Sequence, residues 1–180
     1  MSVRLARNLD DLMKVFTIRA ATYVADQACP YAEEFDGNDF CAAHLLGTVD
    51  GEPAGCIRVR FFGDFVKFER LAVRAEYRNS SLAFRLVRGA IDYAGAKGFR
   101  TVYGHARHDL VLFWSRFGFA AIQGRPIFRF SDVDYVEMRG DIAVAARPID
   151  MARSPYEIIR PEGAWDVPGP LDHSAERRAA

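Results

Sequence analysis

A change of hydrophobic period between residues 65 and 98 constrains the fold more than any other feature of this chain. Apolar, β-branched and aromatic residues over 65–73 are typical of a buried strand. From residue 82, apolar residues recur every four positions, at Leu82, Leu86, Ala90 and Ala94, so they share one face of a helix. The sequence therefore predicts a strand, a short polar turn and a helix in direct succession.

The polar turn over 74–81 has the composition of an anion site. It contains Arg74 and Arg78 and runs into Ser80 and Ser81 at the start of the helix. A helix start presents unpaired N–H groups and a partial positive charge, which suit a phosphate. An ordinary capped helix after an ordinary strand is the alternative interpretation.

The segments before this unit predict further strands of one antiparallel sheet. Residues 41–49 and 52–62 read as strands joined by a tight turn at Asp50-Gly51. An edge strand over 3–6 and a helix over 9–24 precede them. The acidic segment 30–39 contains proline and glycine and is predicted to be a loop.

The segments after the long helix complete one domain. We predict a strand over 100–104, a helix over 109–117, and strands over 119–122 and 134–142 around a turn at 124–131. Beyond residue 147 the prolines are too frequent for long elements. The predicted organisation is a domain over 1–147 and a proline-rich tail over 148–180 that wraps the domain, bridges a partner or is partly disordered.

Composition excludes several classes of protein. Lysine plus arginine equal aspartate plus glutamate at 24 each, which argues against a nucleic-acid-binding protein. The three cysteines have no metal-ligand spacing, so we expect reduced thiols and no metal. The absence of a signal peptide and of a run of roughly 20 apolar residues predicts a cytoplasmic protein without a membrane span. A homodimer is left open.

The turn resembles a motif of the GNAT acyltransferase superfamily. That motif, Q/R-x-x-G-x-G/A, holds the pyrophosphate of an acyl-CoA with backbone amides, and here Ser81 replaces its middle glycine. Serine tolerates a positive φ less well than glycine. The resemblance implies a GNAT α/β fold with a mixed, mostly antiparallel sheet splayed after the fourth strand and helices on both faces. It also implies acetyl-CoA or a longer acyl-CoA as donor, with cofactor-binding residues Leu71, Ala72, Val73, Arg78, Asn79, Ser80, Ser81, Leu82 and Ala83.

A second GNAT motif ends the next helix. In the family, a Tyr-x-x-x-Gly-Phe sequence supplies the tyrosine that protonates the departing thiolate, and here Trp114 stands at the tyrosine position before Gly118-Phe119. Tryptophan has only an indole N–H and cannot act as that acid. We therefore assign Trp114 to the substrate-binding candidates.

Charged residues resemble those of a narrower branch, the acyl-homoserine-lactone synthases and related N-acyl amino acid synthases, which use acyl carrier protein as donor. That branch has a helix arginine, E-x-D-x-x-D, G-x-x-R and a further strand arginine. The resemblance implies an acyl carrier protein partner, and a charge network that orders the acceptor loop or only pins it. Its members here would be substrate-binding: Arg19, Glu34, Asp36, Asp39, Arg58 and Arg70.

The position of the proton acceptor departs from that branch. Its glutamate, three residues before the strand arginine, is Lys67 here, and Glu69 follows two residues later on the same strand face. We predict that Glu69 takes the proton of the acceptor amine, although it could instead only pair with Lys67 or Arg70. His105, at the end of the fifth strand, is the second catalytic candidate.

Together these features predict acyl transfer from a thioester, acyl-CoA or acyl carrier protein, to a small-molecule amine such as an amino acid or a derivative. Attack would be direct because no cysteine or serine is set up as an activated nucleophile. A small-molecule N-acetyltransferase that uses acetyl-CoA and a non-catalytic CoA-binding domain are the alternatives.

Overall fold

The computed structural model describes residues 1–130 and 132–174. The strands are Ser2–Leu5 (β1), Ala42–Val49 (β2), Glu52–Phe61 (β3), Val66–Val73 (β4), Thr101–Arg107 (β5), Ala120–Ala121 (β6), Phe128–Phe130 (β7) and Val133–Asp141 (β8). The helices are Leu9–Arg19 (α1), Tyr31–Glu34 (α2), Leu82–Ala96 (α3), Val111–Ser115 (α4) and Pro155–Ile158 (α5).

One mixed sheet organises these elements. Its strand order is β1-β2-β3-β4-β5-β8-β6, with β7 also paired to β8. Within the described residues only β4 and β5 pair in parallel, and the other pairs are antiparallel. Helix α1 packs on one face of the sheet and α3 on the other, as the two buried clusters show. The predicted α/β fold is confirmed.

The sheet opens between β4 and β5. Paired positions in the ladder are Val66 with Val102, Lys67 with Tyr103, and Phe68 with Gly104, and the described residues show no pair beyond them. A bulge follows at once in β4, where Arg70 has a φ of +53° and the register with β3 shifts. A bulge bends and twists its strand. The predicted splay after the fourth strand is confirmed.

Helix α3 lies close to the sheet through its predicted apolar face. The side chains of Leu82, Leu86, Ala90 and Ala94 are fully buried. Glycine makes this approach possible: a Cβ at Gly55 would lie 2.9 Å from the Ala72 carbonyl oxygen and 3.0 Å from Leu86 Cδ1. The local period thus determines which face is buried, and glycines in the sheet determine how closely it packs.

Three local predictions needed correction. The predicted helix over 9–24 ends as α-helix at Arg19 and continues as π-helical turns over Ala20–Asp26. The predicted loop over 30–39 contains α2, and the predicted turn over 124–131 contains β7, whose Phe128 stacks on Tyr135 of β8. Residue 131 lies outside the described residues. These elements are short, and their contacts to distant residues outweigh local propensity.

The described part of the tail packs on the end of α3. Trp165 stacks on Tyr93 with ring centroids 6.2 Å apart, and the Tyr93 hydroxyl donates to Glu162 Oε1 at 2.5 Å. The Ile149 amide donates to the Ala96 carbonyl at 2.8 Å. Residues 148–174 therefore lie against the domain and, as expected, form only the short helix α5. Across the described ranges, no helix is both long and apolar enough to cross a bilayer.

Gly140 of β8 provides a test of this packing. A Cβ there would lie 1.8 Å from Cδ1 of the buried Phe119 ring, so Gly140→Ala must displace that ring. We expect a loss of about 1–3 kcal/mol in the free energy of unfolding, measured by urea denaturation. The matched control Gly63→Ala has open space around the new methyl and should change stability by no more than about 0.5 kcal/mol. Equal stability of the two variants would contradict the packing described for Phe119.

Candidate active site

The opening between β4 and β5 is lined by apolar side chains on the α3 side. A narrow cavity there lies between Phe68 of β4, Gly104 and Ala106 of β5, and Met138 of β8. Trp114 and Phe119 close it, with ring centroids 5.7 Å apart in a stacked arrangement. Trp114 is 9% exposed. It therefore shapes the wall of the cavity and offers no hydroxyl for proton transfer.

The start of α3 presents free backbone donors beside this opening. The Leu82 amide donates to Ser80 Oγ at 3.2 Å, but the amides of Ser81, Ala83 and Phe84 have no acceptor among the described residues. Ser81 has a φ of −78°, so it avoids the positive φ that would favour glycine. Unpaired amides at the start of a 15-residue helix are a ready anion site.

Arg78 is not fully available to such an anion. Its Nε donates to the Val73 carbonyl at 3.1 Å and its Nη2 lies 2.6 Å from Asp26 Oδ2. The side chain is still 45% exposed. The backbone amides are therefore the principal hydrogen-bond donors that the turn offers to an anion. Arg78 stabilises the turn through its contacts with Val73 and Asp26.

A buried charge network covers the opposite face of the sheet. Arg58 of β3 is fully buried and donates through Nε to Glu69 at 2.9 Å, through Nη1 and Nη2 to Asp36 at 2.8 and 2.6 Å, and through Nη1 to Asp39 at 2.8 Å. Burial disfavours its charge, but these carboxylates outweigh burial and raise the pKa of Arg58. The Arg58 bonds in turn outweigh burial at Asp36 and hold the pKa of that carboxyl well below its usual value.

Two further arginines tie the acidic segment 30–39 to α1 and to the sheet. Arg19 of α1 is fully buried, pairs with Glu34 and Asp39, and donates to the Glu34 carbonyl at 2.7 Å. Arg70, at the bulge, donates to the Glu33 carbonyl at 2.6 Å and lies 3.1 Å from Glu34 Oε2, without an aligned hydrogen bond there. The arginines thus bind α1, β3 and β4 to a single loop.

Glu69 has both of its carboxylate oxygens in ion pairs. Oε1 accepts from Arg58, and Oε2 lies 2.9 Å from Lys67 Nζ. Arg60 Nε is 3.9 Å from Oε1, and the Glu69 side chain is 9% exposed. The Glu69 carboxylate is therefore held in one position, and the Lys67 ammonium already pairs with it.

His105 belongs to a second polar group on the same face. Tyr103 Oη lies 2.5 Å from Glu137 Oε1 and 2.8 Å from His105 Nε2. An ionised carboxylate only accepts, so the Tyr103 hydroxyl donates to Glu137 and His105 Nε2–H donates to the Tyr103 oxygen. Burial and the hydrogen bond to Glu137 raise the pKa of Tyr103 to about 12, which keeps its proton in place.

This arrangement leaves Nδ1 of His105 as the unprotonated ring nitrogen, and no described residue donates a hydrogen bond to it. Burial, followed by the positive charge of Lys67, holds the pKa of His105 below its ordinary value. The imidazole is therefore neutral at pH 7 and has a lone pair available.

The structure places the predicted site residues on two sides of one opening. Those around the start of α3 lie on one side, and the charged candidates with His105 lie on the other. Sequence reasoning missed Tyr103 and Glu137, whereas the pairing of Glu69 with Lys67 was one of the alternatives that it left open. Alternation along β5 and β8 was the available signal for the first two, since residues 103, 105 and 137 share one sheet face once β5 pairs with β8.

An opened sheet with free helix amides on one side and titratable groups on the other is the architecture expected for an N-acyltransferase. The profile of the acetyltransferase (GNAT) family matches residues 10–119, more than half of the chain. The chain belongs to this family. GNAT enzymes transfer acetyl or other acyl groups from acyl-CoA to an amine of a small molecule or a protein.

Individual relatives agree with this assignment. The uncharacterized N-acetyltransferase YjcF of Bacillus subtilis (strain 168) is 26% identical over 145 residues, which cover 78% of this chain and all of that protein. Among solved structures, an acyl-CoA N-acyltransferase from Pseudomonas aeruginosa is similar with a TM-score of 0.70 and 23% identity, over 77% of this chain and 98% of that one. Escherichia coli ElaA gives a TM-score of 0.69 at 21% identity over 77% and 98%. The two structures show the shared fold.

The charge network predicts a clear difference between two neighbouring arginines. Arg58→Ala removes the buried guanidinium that Asp36, Asp39 and Glu69 share, so these buried carboxylates lose their common partner and keep only one other close cation each. We expect a loss of about 3–5 kcal/mol in the free energy of unfolding. Arg60→Ala on the same strand removes a distant, partly exposed ion pair and the contact of the guanidinium with the Phe62 ring, and it should cost about 1 kcal/mol. Urea denaturation at pH 7 measures both. A similar cost for the two variants would contradict the network.

Proposed function

We propose that this chain is an N-acyltransferase that transfers a short acyl group, in the first place acetyl, from acyl-CoA to a primary amine. The amine would be bound on the sheet face that carries His105. The observation that carries the proposal is the opening between β4 and β5, where pairing of the two strands ends after three rungs. A donor bound at the start of α3 and an amine on the other face of the sheet would meet there. Attack would be direct, and orientation of the amine at the thioester would supply the main rate advantage.

The donor side is supported by the free amides of Ser81, Ala83 and Phe84, which suit the pyrophosphate. Strand β4 continues past the opening through Leu71, Ala72 and Val73, whose backbone groups would pair with the pantetheine arm. The Leu71 carbonyl already accepts from the Tyr23 hydroxyl at 2.7 Å, so Leu71 contributes its N–H. The wall formed by Trp114 and Phe119 favours a short acyl group over a long one.

An acyl carrier protein is the second candidate donor. Arg88 lies over the Phe117 ring, with Cζ 5.5 Å from the ring centroid, and Arg116 lies over Phe84 at 5.6 Å. With Arg85, they form a basic surface next to the start of α3, which suits an acidic protein carrying its acyl group on a phosphopantetheine.

On the acceptor side, we assign the base to His105. Nδ1 has a free lone pair, and a base is most effective when its pKa lies near the working pH. Glu69 has a positioning role: Lys67 Nζ already lies on its Oε2, and its negative charge beside the opening would attract an ammonium acceptor. Of the three network arginines, only Arg70 is substantially exposed, at 26%, so it is the one suited to the carboxylate of an amino acid acceptor.

The function is tested by mixing the purified chain with acetyl-CoA, a long-chain acyl-CoA or acyl carrier protein and a panel of primary amines. Thiol release and thermal stabilisation are measured together. Release with acetyl-CoA supports the proposal, and release with the carrier protein alone supports the second donor. Stabilisation by CoA species without release for any amine would favour a non-catalytic CoA-binding domain. No response to any donor would overturn the proposal.

Ser81→Asp tests the donor site without weakening the helix. Aspartate is a favourable residue at a helix start, so the melting temperature should not fall. Its carboxylate would occupy the anion site and repel the pyrophosphate, and we expect acetyl-CoA to bind at least about tenfold more weakly by calorimetry. Ser81→Asn is the neutral control and should stay within about threefold. Wild-type affinity in Ser81→Asp would exclude the start of α3 as the phosphate site.

His105→Gln tests the base through its pH dependence. Below the lowered pKa the imidazole is protonated and cannot accept, so kcat/KM of the wild type should rise with pH and flatten by about pH 7. In His105→Gln this limb should disappear and kcat/KM should fall about 10²-fold or more. His108→Gln, three residues further on, is the control and should keep the wild-type profile. If kcat/KM of His105→Gln still rises with pH as in the wild type, the proton acceptor is another group.

A further inference from the structure

Lysine is rare in this chain, and one lysine lies in the cleft. Lysine and arginine together number 24, and the only lysines are Lys14, Lys67 and Lys97. Lys14 pairs with Asp10 on the exposed surface of α1. Lys97 lies over the rings of Phe61, Tyr93 and Trp165 and pairs with Glu162. The proposed reaction consumes a primary amine, and Lys67 is the one lysine that the fold brings to its site.

The position of Lys67 follows from the sheet. It pairs with Tyr103 one step before the last rung between β4 and β5, so it stands where the sheet begins to open. A strand rises about 3.3 Å per residue, and a lysine side chain is long enough to cover the two residues to Glu69. Nζ lies 2.9 Å from Glu69 Oε2, directed along β4 towards the opening, and the side chain keeps 18% exposure.

The surroundings of Nζ supply what an amine acceptor needs. Glu69 orients it, since Arg58 fixes the same carboxylate from the other side. His105 lies on the same face and is affected by the charge of Lys67. The other charged or titratable groups that face the ring are Glu69 from β4, Tyr103 from β5 and Glu137 from β8, and the rings of Phe128 and Phe130 pack on it from β7.

We propose that Lys67 is a self-acylation site, acylated within the same chain by the donor bound in the opening. The proposal rests on the acyltransferase function proposed above. Nζ loses a proton to His105 and attacks the thioester carbonyl, so that a C–N bond forms and the C–S bond breaks. The second nitrogen proton leaves with the thiolate as free CoA thiol, and His105 returns its proton to water. The product is an uncharged amide, which releases Glu69 Oε2 for the ammonium of an external acceptor.

The test is incubation of the full chain with acetyl-CoA in the absence of an amine acceptor, followed by intact mass and peptide mapping. We expect one added acetyl group at Lys67, with a first-order rate that does not change on tenfold dilution of the protein at fixed acetyl-CoA. Lys67→Arg should abolish it, whereas Lys14→Arg and Lys97→Arg should retain it. Ser81→Asp, impaired in donor binding, should slow acetylation of Lys67 at least about tenfold without changing any slow chemical acetylation of Lys14.

Two results would overturn this proposal alone, and a third would overturn it together with the function on which it rests. Thiol release with external amines while Lys67 stays unmodified leaves the acyltransferase intact and excludes self-acylation. Equal modification of Lys14, Lys67 and Lys97, unaffected by Ser81→Asp, would show ordinary chemical acetylation. If acetyl-CoA neither stabilises the protein nor modifies Lys67, both proposals fail together.

Discussion

The buried guanidinium of Arg58 is the interaction on which the rest of the site depends. A charge removed from water is tolerated only where carboxylates compensate it, and Arg58 takes them from β4 and from the loop after α2. Arg19 draws the same loop to α1 through Glu34 and Asp39. The network thus closes one wall of the cleft and holds Glu69 rigidly beside the opening of the sheet.

The bulge at Arg70 places this charge network beside the opening between β4 and β5. A continuous ladder between β4 and β5 would leave no opening for a thioester, and Arg70 has a positive φ where the strands part. The contacts of Arg70 to the acidic loop help to hold this unfavourable backbone conformation. Strain at the bulge, charge pairing in the loop and the opening in the sheet are parts of one arrangement.

Much of this arrangement could be predicted because charged residues occur in a recognisable order. The family, the opening after the fourth strand and the members of the network followed from the turn over 78–83 and from the resemblance to acyl-homoserine-lactone synthases. That resemblance does not decide which arginine stays accessible. Arg19 and Arg58 are saturated by carboxylates, whereas Arg70 keeps partial exposure, and this difference arises from depth in the fold.

The sequence by itself determined the elements whose period is local: the strand over 65–73, the helix from Leu82 and the polar turn between them. Hydrophobic period acts within one element and is therefore visible without any partner. Only the tertiary structure decided that Lys67 occupies Glu69, that Tyr103 and Glu137 set the tautomer of His105, and that β7 forms within an expected turn. These choices depend on register between strands distant in sequence, because each rung of pairing determines which side chains meet across it.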